Sequence, residues 1–177
     1  MISAVVLASL LAAAPSYEAS GEISFHVRGG VGNGASFDAG RVIGPSANLT
    51  NTEGVWAGDI GGQNVSLDVS PTRITGANLD LHLEKDGAKR SIRGNFFGQR
   101  LSLEYGEKRV SGRVGSCSFT LDRKRVGVYE GTVGCMDRGA RLPRTGYGIL
   151  NFAGLAAEAE PPSPQFQLAL VATLVGG

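Results

Sequence analysis

Leu79-Asp-Leu-His-Leu-Glu-Lys-Asp-Gly-Ala-Lys-Arg-Ser-Ile-Arg-Gly-Asn-Phe-Phe-Gly-Gln-Arg-Leu-Ser-Leu-Glu-Tyr105 is the stretch whose reading decides the fold. Leu79, Leu81 and Leu83 alternate with Asp80, His82 and Glu84, and Leu101 and Leu103 alternate with Ser102 and Glu104. Successive side chains of a strand point to opposite faces, so a period of two makes one face apolar and the other wet. That is the pattern of an antiparallel sheet with a solvated side. Asp86-Gly87, inside Lys85–Ala88, has the chemistry of a type I′ hairpin turn, whose central residues need φ > 0. Phe97-Gly98 and Gly106-Glu107 are weaker versions of the same signal.

Outward from this stretch runs a repeat. Gly58, Gly76, Gly94 and Gly112 are 18 residues apart, and Gly131 follows after 19. Two residues before each stands an apolar residue: Trp56, Ile74, Ile92, Val110 and Tyr129. Seven residues after the first four stand Val65, Leu83, Leu101 and Phe119. Such a period is two strands with their turns, too strand-like for a helical solenoid. About a dozen candidate strands fit between Gly21 and Leu155 on this spacing, and so many short strands must pair or close to leave no bare edge.

Composition agrees. Glycine is 27 of 177 residues, about double its ordinary share of ~7%, and a chain of this length is most simply one domain with a real core. The net charge of +1 hides an asymmetry. Residues 84–144 hold fourteen Lys/Arg against seven Asp/Glu, whereas residues 1–83 hold three against seven. A basic middle is a footprint for anions such as phosphates, anionic lipids or nucleic acid, and a solvated face of mixed charge is the plainer alternative.

Residues 1–19 open with Met1-Ile-Ser-Ala-Val-Val-Leu-Ala-Ser-Leu-Leu-Ala-Ala-Ala-Pro15, the apolar, small-residue pattern of a secretory leader, although no Lys or Arg precedes it. A retained apolar segment is the other reading. Export would suit the two cysteines, Cys117 and Cys135, as a disulfide. Pairing Phe119 with Val133 across the hairpin near Arg123–Val126 sets the two opposite each other, and two buried thiols are the alternative. After the polar linker Glu158–Pro164, the tail Gln165–Val175 is apolar on all sides. Ser163 as a cap and Pro164 at the first position favour a helix over 163–175, which has to be buried; a final buried strand is the rival.

Catalytic signals are lacking. His26 and His82 are the only histidines, and both read as surface residues on strands. Gly29-Gly-Val-Gly-Asn-Gly34 lacks the Lys-Ser/Thr of a phosphate-binding loop and reads as a turn. Nothing asks for a metal or cofactor, and no basic groove with exposed aromatics points to nucleic acid.

Several of these segments, in order, resemble a tubby-type domain over residues 77–175. Arg93-Gly-Asn-Phe-Phe-Gly-Gln-Arg-Leu-Ser-Leu-Glu-Tyr105 is similar to the family's Arg-Ser-Asn-Phe-Leu-Gly signature, and Ala77–Glu84 looks like the strand before it. Tyr129-Glu130, Val133-Gly134 and Gly139-Ala-Arg141 resemble its Tyr-Glu, Val-Leu-Gly and Gly-Pro-Arg elements. Leu150-Asn-Phe-Ala-Gly154 and the apolar tail resemble its last strand and its barrel-filling helix. The resemblance, which extends to the related scramblase and LURP-one group, implies a mainly β fold: a closed antiparallel meander barrel of about twelve strands around a buried C-terminal helix. With residues 1–19 as leader, residues 20–177 form that single domain.

The resemblance also implies phosphoinositide headgroup binding by a Lys-x-Arg pair, whose positions here are Ser91 and Arg93. Arg93 grips a phosphate bidentately and Ser91 does not, so binding needs several cations among Lys89, Arg90, Arg93, Arg100, Arg123 and Arg125. The expectation is an exported, non-enzymatic barrel whose partner is an anionic ligand or membrane surface. A structural or protein-interaction protein of the cell envelope, or a lipocalin-like carrier with a hollow barrel, are the alternatives.

Overall fold

A computed structural model describes residues 20–28, 30, 32–136, 139, 141–154 and 163–175. The expected leader, residues 1–19, lies outside them. Fourteen strands follow one another: β1 (Gly21–Val27), β2 (Asn33–Phe37), β3 (Arg41–Gly44), β4 (Ala47–Thr52), β5 (Val55–Ile60), β6 (Gln63–Val69), β7 (Arg73–Gly76), β8 (Leu79–Asp86), β9 (Lys89–Phe96), β10 (Gln99–Tyr105), β11 (Arg109–Val114), β12 (Cys117–Arg125), β13 (Val128–Cys135) and β14 (Arg144–Gly154). Helix α1 (Pro164–Val175) ends the described chain. Each strand pairs antiparallel with the next, and β1 closes the sheet on β14 from Gly21↔Gly154 to Val27↔Gly148. The closed barrel and the terminal helix are as expected; the strand number is fourteen, not twelve. Strands as short as β3, with four residues, hold too few alternations to be counted from sequence.

The glycine repeat has a structural reason. Gly58, Gly94, Gly112 and Gly131 sit on the inward face, between the buried pairs Trp56/Ile60, Ile92/Phe96, Val110/Val114 and Tyr129/Val133. Each faces large apolar residues across the ladder: Gly94 lies between Leu81 and Leu101, and Gly112 between Leu103 and Phe119. Two strands per period therefore bring one bare backbone position into register with bulky neighbours, which fill the space over it. At Gly94 the need is strict: φ is +154°, and a Cβ there would land on the Asp80 carbonyl oxygen of β8.

A barrel of this many strands is wider than its own side chains fill, and a helix about 10 Å across fits the remaining space. Helix α1 lies against β1–β4, where the inward residues Ala35, Gly44 and Ala47 are small and leave room for it. Residues Phe166–Leu174 are all buried. Phe166 makes ring contacts with Phe37, Tyr105 and Phe152, on β2, β10 and β14. Those strands lie apart in the closed sheet, so this ring sits inside the barrel. Both helix ends are tied. Ser163 Oγ accepts from the Phe166 amide at 3.3 Å, as its reading as a cap expects. At the other end Asn33 Nδ2 donates to the carbonyls of Ala172 (3.2 Å) and Thr173 (2.8 Å), carbonyls a helix end leaves without partners.

Cys117 and Cys135 face each other across β12 and β13 in the register set by Phe119↔Val133, and they form a disulfide with Cα atoms 4.0 Å apart. The β8–β9 turn differs in detail from expectation. Asp86 pairs with Lys89, so the loop residues are Gly87 and Ala88, and Gly87 alone has a left-handed φ, +58°.

Candidate anion-binding site

Antiparallel pairing turns much of the basic middle of the chain outward on β8–β12, where Arg93, Arg109 and Arg123 each meet an acidic partner, as Arg73 of β7 does beside them. Arg73 Nε and Nη2 grip Asp80 at 2.8 and 2.9 Å. Arg93 Nη2 donates to Glu104 Oε1 at 2.7 Å, and Arg109 Nε to Asp122 Oδ1 at 2.7 Å. Arg123 Nη1 reaches Glu107 Oε1 at 3.1 Å. The hydrogen bonds from Arg73 and Arg109 hold the Asp80 and Asp122 carboxyls below the usual carboxylate range. These pairs are exposed, so each contributes little to stability. Their effect on recognition is larger, because a guanidinium already gripped by a carboxylate is a poor ligand for a second anion.

The six cations read from the sequence therefore separate. Arg93, at the position that the resemblance implied for phosphate binding, is engaged by Glu104. Arg123 is held by Glu107 and also donates to the Arg125 carbonyl; Arg125 is exposed at the end of β12. Lys89 and Arg90 are neighbours in sequence but point to opposite faces of β9: Lys89 is exposed, and Arg90 shares the parity of buried Ile92 and is partly buried. They do not converge on one patch.

Arg100 is different, and it has a companion the sequence reading missed. With Arg113, it lines an outer concavity of about 660 Å³ formed by β9, β10 and β11, whose other walls include Asn95, Ser102, Gly94 and Gly98. Register explains the meeting. Ser102 lies opposite Arg113 and Arg100 opposite Asn95, so the two arginines are diagonal neighbours on the outer face. Neither takes part in an ion pair or side-chain hydrogen bond among the described residues, and no carboxylate lines the hollow. Two guanidiniums flanked by an amide and a hydroxyl are suited to a phosphate or carboxylate. The sequence signal for Arg113 is its place in the β10–β11 hairpin: once Tyr105 pairs with Val110, Arg113 falls beside Ser102.

No family model, no curated protein and no solved structure matches this chain. Among the described residues, no group of three or more His, Cys, Asp and Glu side chains is placed to hold a metal ion. No described helix is long and apolar enough to cross a membrane.

Proposed function

We propose that the protein is a non-enzymatic, exported β-barrel that binds an anionic ligand or an anionic membrane surface through the outer face of β9–β11. The observation that carries this reading is the pair of unengaged arginines, Arg100 and Arg113, in a hollow without a carboxylate. A barrel around a C-terminal helix is also what the tubby-type resemblance implies, and this binding mode extends that resemblance, with the anion gripped on Arg100 and Arg113 instead of Arg93. The disulfide suits an oxidising compartment and so supports export. The helix occupies the space in which a lipocalin-like carrier would hold its ligand.

A second reading has its own support. Leu142 is 79% exposed and Met136, next to Cys135, 40%, both between β13 and β14 in the chain. Apolar residues presented this way also suit a protein partner in the cell envelope.

Co-sedimentation of the purified protein with neutral, acidic and phosphoinositide-containing vesicles tests the proposal, beside an Arg100→Gln/Arg113→Gln variant. Binding to anionic vesicles that the double variant loses supports it. No binding to any vesicle, together with no response to soluble inositol phosphates, overturns it and leaves the envelope-partner reading.

A further inference from the structure

The connection from β13 to β14 runs Met136-Asp-Arg-Gly-Ala-Arg-Leu-Pro-Arg144, with three Arg against one Asp. One row of the ladder joins it to the outer hollow. Ser102 on β10 lies opposite Arg113 on β11, Arg113 opposite Ser118 on β12, Ser118 opposite Gly134 on β13, and Gly134 opposite Thr145 on β14. Ser118 is exposed and its neighbour Phe119 is buried, so the row is on the outer face. Pro143 sits over this row at Gly134, where an added Cβ would lie 3.8 Å from the proline Cβ. Strands are ~4.8 Å apart, so the backbone at Gly134 is only about 10 Å from that at Arg113. The segment Arg141–Arg144 therefore borders the hollow of Arg100 and Arg113.

Charge and exposure change together along this row. None of its residues is acidic, and the described acidic residues of β10, β12 and β13 (Glu104, Asp122 and Glu130) lie towards the other end of the barrel. Arg100, Arg113, Arg141 and Arg144 are all exposed. Between the last two stands Leu142, the most exposed large hydrophobic among the described residues. A protein partner needs about 800 Å² of matched surface, and the apolar part here is Leu142 with Met136. A bilayer asks for less: a few apolar side chains entering the boundary between headgroups and acyl chains, with cations beside them at the level of the phosphates. We propose, resting on the reading of Arg100 and Arg113 as anion ligands, that the partner is an anionic lipid bilayer and that Leu142 is a wedge inserted into it. Arg141 and Arg144 flank the wedge, and Arg100 and Arg113 hold lipid phosphates next to it.

The test uses the purified protein with neutral vesicles and with vesicles containing phosphatidylglycerol. Leu142→Ser alters an exposed side chain and leaves the fold intact; it is expected to weaken binding to the anionic vesicles about tenfold, the worth of burying much of one leucine. Insertion has its own readout. The indole of a Leu142→Trp variant is expected to shift to the blue on anionic vesicles and to be quenched by brominated acyl chains. Thr50→Trp, exposed on β4 across the barrel from β11, is expected to show neither change, and Trp56, buried in the core, gives a constant background read from the wild type. Binding to anionic vesicles that survives Leu142→Ser but is lost in Arg100→Gln/Arg113→Gln overturns the wedge and leaves the arginine site standing. So does binding of soluble inositol phosphates without binding of vesicles, or an indole at position 142 that brominated chains do not quench. Equal binding to neutral vesicles overturns the part given to the arginines, and no binding to vesicles or to soluble inositol phosphates ends both readings.

Discussion

Replacing Gly94 by alanine tests the physical basis of the glycine repeat. The backbone there has φ of +154°, a region in which a residue with a Cβ is strained by ~1–3 kcal/mol. The added carbon would also lie on the Asp80 carbonyl oxygen of β8. Relief requires β8 and β9 to separate locally, which sacrifices one or two ladder hydrogen bonds at about 1 kcal/mol each. The sum is about 4 kcal/mol, large for one methyl group. Gly87 is the internal control. Its φ is also positive, +58°, but no atom lies within 4 Å of a Cβ there, so Gly87→Ala carries the left-handed term alone, about 1–2 kcal/mol. Urea denaturation of the two variants beside the wild type reads the difference directly as a shift in midpoint at constant slope. If Gly94→Ala were no more destabilising than Gly87→Ala, the close approach of strands would not be what the repeat encodes.

Other outcomes follow from the same packing. Phe166→Ala removes the ring that meets Phe37, Tyr105 and Phe152 inside the barrel, and is expected to lower stability by about 3–5 kcal/mol in the same denaturation assay. Cys117→Ser with Cys135→Ser opens a loop of sequence separation 18; the expected loss is about 3 kcal/mol, and a reducing agent should lower the wild-type midpoint while leaving the double variant unmoved. The Tyr105 phenol is raised to about 12, so the fold favours its neutral form. Its contribution is full below about pH 10 and lost as pH rises towards 12, by ~2 kcal/mol. The stability gap between wild type and Tyr105→Phe should therefore shrink between pH 9 and pH 11.5, and a pH-independent gap would contradict this.

Period-two alternation in Leu79–Tyr105 and the glycine spacing made the hairpins legible, and the cap at Ser163 with an all-apolar tail made the buried helix legible. The disulfide was one of two readings of the cysteines, and the structure decides it, because the register Phe119↔Val133 sets Cys117 opposite Cys135. Short strands such as β3, Arg41–Gly44, escaped counting because four residues hold too few alternations. Asn33, which tethers the C-terminus of α1, was invisible for another reason: its partners are about 140 residues away in the chain. The site was less legible than the fold. Residue type marks Arg93 and Arg100 alike as cations, but only the pairing of β9 with β10 shows that Glu104 engages one of them. The same pairing, with that of β10 and β11, brings in Arg113. Charge neutralisation across a sheet is a property of register, which the sequence carries only indirectly.

That distinction between engaged and open arginines is the centre of the functional account. The most direct measurement compares two single variants of equal charge change, Arg93→Gln and Arg100→Gln, for binding to anionic vesicles at physiological salt. The account predicts that Arg100→Gln weakens binding several-fold while Arg93→Gln, whose guanidinium is already held by Glu104, changes it by less than about twofold. Equal losses from both would show a diffuse basic surface responding only to net charge, and a larger loss from Arg93→Gln would contradict the assignment of the site to Arg100 and Arg113.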